Sequence, residues 1–369
     1  MKIKTEDLLI QQNDFLQRQN DLIEQHNLLL QQQNKILQQS SNLNKLLPDD
    51  KKEFVENLYT DEMRNGFLVT SHRKKLWNVQ IGLINEFARI CKKHNLRWFA
   101  EYGTLLGAAR HKGFIPWDDD VDLVMLRPDY AKFKQIAAEE IKYPYYMDNF
   151  FDYRSGDDKT SSPEEEKFPK VSNDNGGWPF FDMFFKIRDS RTTMIEFPNR
   201  KNVNQGIWID VFVWDPLPPF ENDQQMSICN AGAILNVATL HPQAIQQAIE
   251  EKQPLPIDLD FLQKFLKLSF RQKGIFVEKF LKDNHFPSEY VGRLNFNFLI
   301  QKAKKYKTAD FENLITLPFE KIEILAPANY DEHLKITYGD WRKMVFTHVH
   351  VKEYSTDIPY TEYFRQSAI

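Results

Sequence analysis

The chain has 369 residues, 42% of them hydrophobic, with 29 phenylalanines and a formal net charge of −4. That length and apolar content can bury a full core, as one large domain or two small ones. The negative balance argues against a partner whose affinity comes from neutralising a nucleic-acid backbone. Two cysteines, Cys91 and Cys229, are too few for a disulfide framework and lack metal-ligand spacing, so they read as reduced, buried thiols of a cytosolic protein.

The first residues, Met1 to Asp7, lack the apolar region of a signal peptide, and no uncharged apolar run approaches the roughly 18 residues that span a bilayer. The expectation is a cytoplasmic protein without a transmembrane segment. It would meet any membrane-bound substrate from the inner face, peripherally.

Residues 11 to 45 repeat with a period of seven. Leu16, Ile23, Leu30 and Leu37 keep one position, and Asn13, Asn20, Asn27 and Asn34 stand three residues before them, which is the a/d spacing of a coiled coil. A second column, Phe15, Leu22, Leu29 and Ile36, allows a seam with Gln12, Gln19, His26 and Gln33 at a, and both registers stay open. A Gln-rich tail or a helix docked on its own domain are the plain alternatives. The expectation is a homo-oligomer formed through residues 8–47, with an N-terminal coiled coil at 1–47 and a catalytic domain at 48–369. Pro48 ends the repeat.

From Arg73 to His94, Leu76, Val79, Leu83, Ile84, Phe87, Ile90 and Cys91 recur at three- and four-residue steps, predicting an amphipathic helix. It leads into a strand at Arg97 to Glu101, and then into the most informative stretch of the chain. At Gly103-Thr104 the backbone can approach a phosphate without a Cβ in the way. A turn follows, and then carboxylates. In Asp120-Val121-Asp122-Leu123-Val124-Met125 the alternation is that of a strand, so Asp120 and Asp122 project from one face about 7 Å apart and can hold one hard cation such as Mg²⁺. The bland reading is a solvated acidic turn. The apolar flanks Ile115, Pro116 and Trp117 on one side and Leu123 to Met125 on the other argue against it, since carboxylates beside a core need a cation or donors.

A helix is expected from Tyr130 to Ile141 with Pro128 at its start, then a polar loop from Asp152 to Ser172. Phe180 to Ile187 and Ile207 to Trp214 read as strands, and Asp210 is the only ionisable residue between Gly206 and Trp214. A lone acid in an apolar strand pairs with a cation or titrates abnormally, so Asp210 is the natural third acid; its structural alternative is pairing with an internal Arg or Lys. Residues 222 to 306 are helical by periodicity and carry no chemical motif. Their phenylalanines, Phe261, Phe265, Phe276, Phe280, Phe296 and Phe298, read as core. Ile322 to Leu325 is a short strand, followed by a helix and a tail with His348 and His350.

The run Gly-Thr-Leu-Leu-Gly-Ala-Ala-Arg-His-Lys-Gly-Phe-Ile-Pro-Trp-Asp-Asp-Asp-Val-Asp, residues 103 to 122, resembles the signature of the LicD family, bacterial phosphocholine transferases and their fukutin-like relatives. Gly206 to Phe212, Phe185 to Asp189, and Tyr330 to Trp341 resemble further blocks of it. The chain departs from the pattern at Glu101-Tyr102, where a small residue or a second Gly is usual, and at Arg342-Lys343-Met344. The resemblance implies a mixed α/β (α+β) fold with a nucleotidyltransferase-like core sheet surrounded by helices. It also implies a Mg²⁺ (or Mn²⁺) site at Asp120, Asp122 and Asp210, which serve as both metal-binding and catalytic residues. Gly103, Thr104, Arg110, Lys186 and Arg188 are the substrate-binding candidates, each cation having a plain surface charge as its alternative. The role of His111 stays open.

The resemblance further implies transfer of phosphocholine or a related phospho-alcohol from a CDP-activated alcohol donor to a hydroxyl of a cell-surface glycan or glycolipid precursor. The alternatives are a nucleotidyltransferase that uses a nucleoside triphosphate on a small molecule or protein, and a non-catalytic glycan-assembly scaffold.

Overall fold

The computed structural model describes residues 60–149, 184–196, 204–219, 223–299, 301–346 and 352–366. The heptad repeat, the polar stretch from Asp152 to Ser172, and both His348 and His350 lie outside them. The chain divides after Lys75 into two units.

In the first unit, β1 (Glu62–Arg64) and β2 (Phe67–Val69) form an antiparallel hairpin. Asn65 and Gly66 join them, both with positive φ (51° and 78°), as a twisted two-residue turn requires. Helix α1 (Ser71–Lys93) starts where Thr70 Oγ1 accepts from the Arg73 N–H at 3.2 Å and Asp61 accepts from the Ser71 N–H at 2.6 Å. These side chains satisfy donors that the first turn cannot.

In the second unit the apolar column expected of α1, including Leu76, Leu83, Ile84, Phe87, Ile90 and Cys91, is buried. The elements that follow are β3 (Phe99–Ala100), α2 (Tyr102–His111), β4 (Asp122–Leu126), α3 (Arg127–Glu140), β5 (Tyr145–Asn149), β6 (Phe184–Asp189), β7 (Thr193–Met194) and the long β8 (Ile207–Leu217). Four helices come next: α4 (Asp223–Leu240), α5 (Pro242–Glu250), α6 (Leu259–Leu266) and α7 (Phe270–Asp283). The chain closes with β9 (Tyr290–Gly292), α8 (Phe296–Leu299), β10 (Tyr306–Lys307), the hairpin β11 (Leu314–Phe319) and β12 (Ile322–Pro327), α9 (Tyr330–Tyr338), β13 (Tyr354–Ser355) and α10 (Tyr360–Gln366).

The sheet is built around β8. Strand β4 runs parallel to it, with Asp122 opposite Asp210 and Leu126 opposite Trp214. Strand β6 runs antiparallel to it, from Phe184 opposite Phe212 to Asp189 opposite Ile207. Its last three residues pair with β9, Asp215 opposite Gly292 and Leu217 opposite Tyr290. Strands β3, β5 and β10 extend the sheet, giving seven strands among the described residues. The α+β class therefore holds.

Nearly every residue of β8 is buried, which fits a central strand covered on both faces. On one side Phe87 of α1 meets Trp98, Phe133 and Phe185 at ring-centroid distances of 5.6, 5.3 and 6.4 Å. Phe99, Trp214, Tyr306 and Phe311 form another aromatic cluster. Each such side chain contributes about 1.5–3 kcal/mol by leaving water. Helices α4 to α7 have their own core around Cys229, Ala233, Phe265, Val277 and Leu281. A Ser269–Gln272 capping box opens α7.

Three expectations need correction. Strand β4 begins at Asp122, so Asp120 lies in the loop before it and not on the strand. The span 222 to 306 is not helical throughout, because β9 and β10 lie within it. Helix α2, which the Gly103-Thr104 pair opens, stands where a turn was expected to follow that pair. Both cysteines are buried free thiols as expected, and burial pushes Cys229 up to about 12. Among the described residues no helix is long and apolar enough to cross a membrane.

Candidate active site

Helix α2 and the loop after it deliver the acids. Tyr102 opens α2 with φ of +45°, a left-handed conformation that is strained for a bulky residue and that a glycine would adopt freely. This is one of the two places where the chain departs from the LicD pattern. The Tyr102 ring meets Phe212 edge-on at 5.6 Å, and Arg293 Nη1 donates to its hydroxyl at 2.7 Å, so packing holds the strained backbone. A Cβ at Gly103 would lie 2.5 Å from Asp118 Oδ2, and one at Gly107 would lie 2.4 Å from the Gly113 carbonyl oxygen. At Gly107 the obstacle would be backbone, so the loop folds back against α2 there only because that position is glycine, whereas at Gly103 it would be the end of the Asp118 side chain.

Helix α1 fixes the other side of that loop. The Trp77 indole donates to the Asp118 carbonyl at 3.0 Å, and the Gln80 amide donates to the Asp119 carbonyl at 2.8 Å. Trp77 also stacks on Phe114 at 4.7 Å. Thr104 Oγ1 accepts from the Asp122 N–H at 2.8 Å, pinning the first residue of β4 to the first turn of α2.

Asp118, Asp120 and Asp122 line a cavity of about 490 Å³, together with Tyr102, Arg110 and Trp341. Carboxylate oxygens of Asp118, Asp119 and Asp120 approach within 4.8 Å of one another. Burial, and then the Asp120 charge, push Asp118 up to about 8. Burial also drives Asp122 well above the ordinary carboxylate range, reinforced by Asp120, Asp210 and Asp118 and opposed by Arg293. Without a compensating cation these acids cannot all ionise together.

Asp210 is held differently. Lys186, its antiparallel neighbour on β6, donates to Oδ1 at 2.8 Å, and the Trp208 indole donates to Oδ2 at 3.1 Å. Burial raises its pKa, and Lys186 opposes that. Lys186 also lies 3.2 Å from Glu196 and 4.2 Å from the centre of the Trp208 ring. Lys352 approaches Asp119 at 3.5 Å. Burial works against its charge, but Asp119, Asp120 and Asp210 raise its pKa.

Residues 95–214, which carry all of these acids, match the family described as LicD/FKTN/FKRP, nucleotidyltransferase domain. The chain carries a LicD-family domain. Over 72% of its length it is 23% identical to the lipopolysaccharide cholinephosphotransferase LicD of Haemophilus influenzae, 89% of which is covered. It is 43% identical over 57 residues to an uncharacterised protein of Rickettsia typhi, covering 15% of this chain and 18% of that protein. It is 47% identical over 45 residues to the human ribitol 5-phosphate transferase FKRP, covering 12% of this chain and 9% of that protein.

Within the LicD-family domain, Asp120 and Asp122 meet at the cavity, with Gly103 and Arg110 on its wall. The Arg110 guanidinium donates to the carbonyls of Trp341 at 3.2 Å and Lys343 at 3.4 Å, which ties α2 to the segment after α9. Thr104 is an anchor for β4, not a cavity group. Arg188 is placed elsewhere. It is fully buried, at 2.9 Å from both Asp148 and Glu196, and donates to the Gly206 carbonyl at 3.2 Å, so it is not the surface charge that was its alternative. His111 accepts from Arg110 Nε at 2.9 Å.

Four features of the site escaped the reading of residues. Asp118 belongs to the acidic group, and Lys352 reaches it from the chain's far end. Glu196 is the shared partner of Lys186 and Arg188. Behind Tyr102, Glu101 and His333 form a fully buried pair at 2.5 Å, with the His333 ring stacked on Tyr306 at 4.1 Å, which in turn stacks on Trp214 at 4.8 Å. Only Asp118 had a local signal, the unbroken run Asp118-Asp119-Asp120.

Proposed function

We propose that the chain is a divalent-metal-dependent transferase that moves phosphocholine, or a related phospho-alcohol, from a CDP-activated donor to a hydroxyl of a glycan precursor. The observation that carries this reading is the convergence of Asp118, Asp120 and Asp122 on one cavity, with burial and mutual repulsion holding Asp118 and Asp122 above the carboxylate range. An all-oxygen, multiply anionic donor set suits a hard cation such as Mg²⁺ or Mn²⁺. Asp120 and Asp122 would hold it, with Asp118 beside them and Asp210, outside the cavity lining, in register with Asp122 on the neighbouring strand. A bound divalent ion would neutralise the charge of the donor's phosphate oxygens.

The remaining work falls to the chain's own groups. The acceptor oxygen attacks the phosphorus that bears the alcohol, the anhydride bond to CMP breaks, CMP leaves, and a cavity carboxylate takes the hydroxyl proton. Arg110, on the cavity wall and braced by two carbonyls, orients the phosphates. Lys186 fixes Asp210 and opposes the effect of its burial. The similarity to a cholinephosphotransferase over most of the chain supports the class of reaction, and the shorter match to a ribitol 5-phosphate transferase supports a phospho-alcohol as the group moved. We place the reaction at the cytoplasmic face of a membrane.

Incubation with CDP-choline, CDP-ethanolamine, CDP-ribitol and CDP-glycerol in Mg²⁺, with detection of CMP, tests the proposal. CMP release with one of them is expected. Pyrophosphate release from a nucleoside triphosphate would instead establish nucleotidyl transfer, and no turnover with any donor would leave a glycan-assembly scaffold. The heptads support a second part of the proposal, self-association through residues 8–47. Light scattering should show an oligomer that deletion of residues 1–47 converts to a monomer with turnover retained. A monomeric full-length protein would overturn this part.

A further inference from the structure

Tyr102 is shared by two cavities of opposite character. On one side lies the acidic cavity already described. On the other lies a smaller cavity of about 140 Å³, lined by Arg293, Lys302, Lys304, Asn295, Asn297 and Tyr306, with no carboxylate among its lining residues. We infer that this second cavity is an oxyanion site, which takes a phosphate group of a substrate on the far side of Tyr102 from the acids.

The chemistry of the lining supports this. Three cations, two carboxamides and a phenol converge in a chain whose net charge is −4. The volume amounts to about five waters, room for one tetrahedral oxyanion but not for a nucleoside. Asn295 is buried, and its Oδ1 accepts from the Asn297 N–H at 3.0 Å, so the loop that presents both amides is organised from within. Lys304 donates to the Thr337 carbonyl, a neutral partner, and makes no ion pair among the described residues. Burial lowers its pKa, and Glu101 opposes that. A cation in such a place gains from an incoming anion more than a fully solvated lysine does.

Arg293 connects the two cavities. It donates to the Tyr102 hydroxyl at 2.7 Å, lies over the Tyr102 and Phe212 rings at 5.2 and 4.8 Å, and its charge lowers the pKa of Asp122. An anion at the second cavity therefore draws on the same guanidinium that steadies the strained Tyr102 and the first acid of β4. The phosphate belongs either to the nucleotide donor or to the other substrate.

The test is a titration of inorganic phosphate into the full-length protein in EDTA, where a divalent cation at the acids contributes nothing, followed by ³¹P line broadening. Saturable binding is expected. The pair Lys302→Gln/Lys304→Gln should weaken it at least about tenfold, and Asn297→Asp should act in the same direction by placing a carboxylate in the cavity. The control pair Lys279→Gln/Lys282→Gln, on α7, should change it by less than about twofold. Lys302 and Lys304 are both exposed, so the variants should fold, which circular dichroism checks. Competition by CMP would assign the phosphate to the nucleotide, and absence of competition would assign it to the other substrate; either result supports the site. Lack of saturation in the wild type, or equal affinity in the cavity variants and the control pair, would overturn it.

Discussion

Asp122 and Asp210 stand directly opposite each other on adjacent parallel strands, and Lys186 meets Asp210 from the strand on the other side at 2.8 Å. One member of the pair thus carries its own counter-charge. Asp122 lines the cavity with Asp118 and Asp120, whose charges reinforce one another there.

Asp120→Asn and Asp122→Asn should each lower turnover at least about 10²-fold with the fold intact, as expected when one charge-stabilising group leaves such a site. Asp210→Asn should cost less than either, because its two oxygens serve Lys186 and the Trp208 indole. CMP release across a Mg²⁺ titration measures this. Near wild-type turnover for Asp122→Asn at saturating Mg²⁺ would remove that residue from the metal site.

The acids also set a pH dependence. Asp118 is raised from 3.8 to about 8, so the folded chain holds its proton more tightly than the unfolded chain. The resulting stability is complete below pH of about 4 and is lost as pH rises through about 8. In EDTA the melting temperature should fall across this window, and Asp118→Asn should flatten the fall. Added Mg²⁺ should restore more stability at the alkaline end than at the acid end, because it competes with protons for the carboxylates. A Mg²⁺ effect of equal size at both ends would contradict the assignment.

Arg110 and Arg188 should separate function from stability. Arg110→Ala should raise the KM for the donor with little change in unfolding free energy. Arg188→Ala removes the ion-pair partner of Asp148 and leaves Glu196 to Lys186 alone, and should cost about 3–5 kcal/mol by urea denaturation. Similar stability for both variants would show that the Asp148–Arg188–Glu196 group is not closed as described.

The Glu101–His333 pair should behave as a buried polar contact. Glu101 Oε1 and His333 Nδ1 have no hydrogen-bond partner, so the pair depends on its one bond. His333→Leu leaves Glu101 wholly unsatisfied and should cost about 1–3 kcal/mol beyond any packing change. The double variant Glu101→Leu/His333→Leu should recover part of that loss, and strictly additive losses would argue against direct coupling.

How much of this was legible depended on whether a signal was local. Helix α1 was readable because its apolar residues repeat over many turns, and it runs from Ser71 to Lys93 against an expected Arg73 to His94. Asp210 stood out as the lone acid between Gly206 and Trp214, although β8 runs on to Leu217 and also holds Asp215. The Asn65-Gly66 turn was equally local and marks the β1–β2 hairpin that the reading passed over. By contrast β9 and β10, of three and two residues, are too short to impose a period. Glu101 and His333 are 232 positions apart, and no window along the chain could have joined them. The strand start was misplaced because the alternation at Asp120 continues one step beyond the hydrogen-bonded ladder, where Thr104 takes the Asp122 N–H.

The chain leaves the sheet at Leu217 and returns to it at Tyr290, and those two residues are cross-strand partners on β8 and β9. Everything between them, including α4 to α7 with their own core, hangs from a doorway one strand spacing wide. Closing that doorway with a short turn changes little in chain entropy, since the ends are already together. The helical block is in that sense a cassette. Its length can change without shifting the ends of β8 and β9, and what ties it further to the sheet's helices is Glu278, which meets Tyr130 and Lys134 of α3.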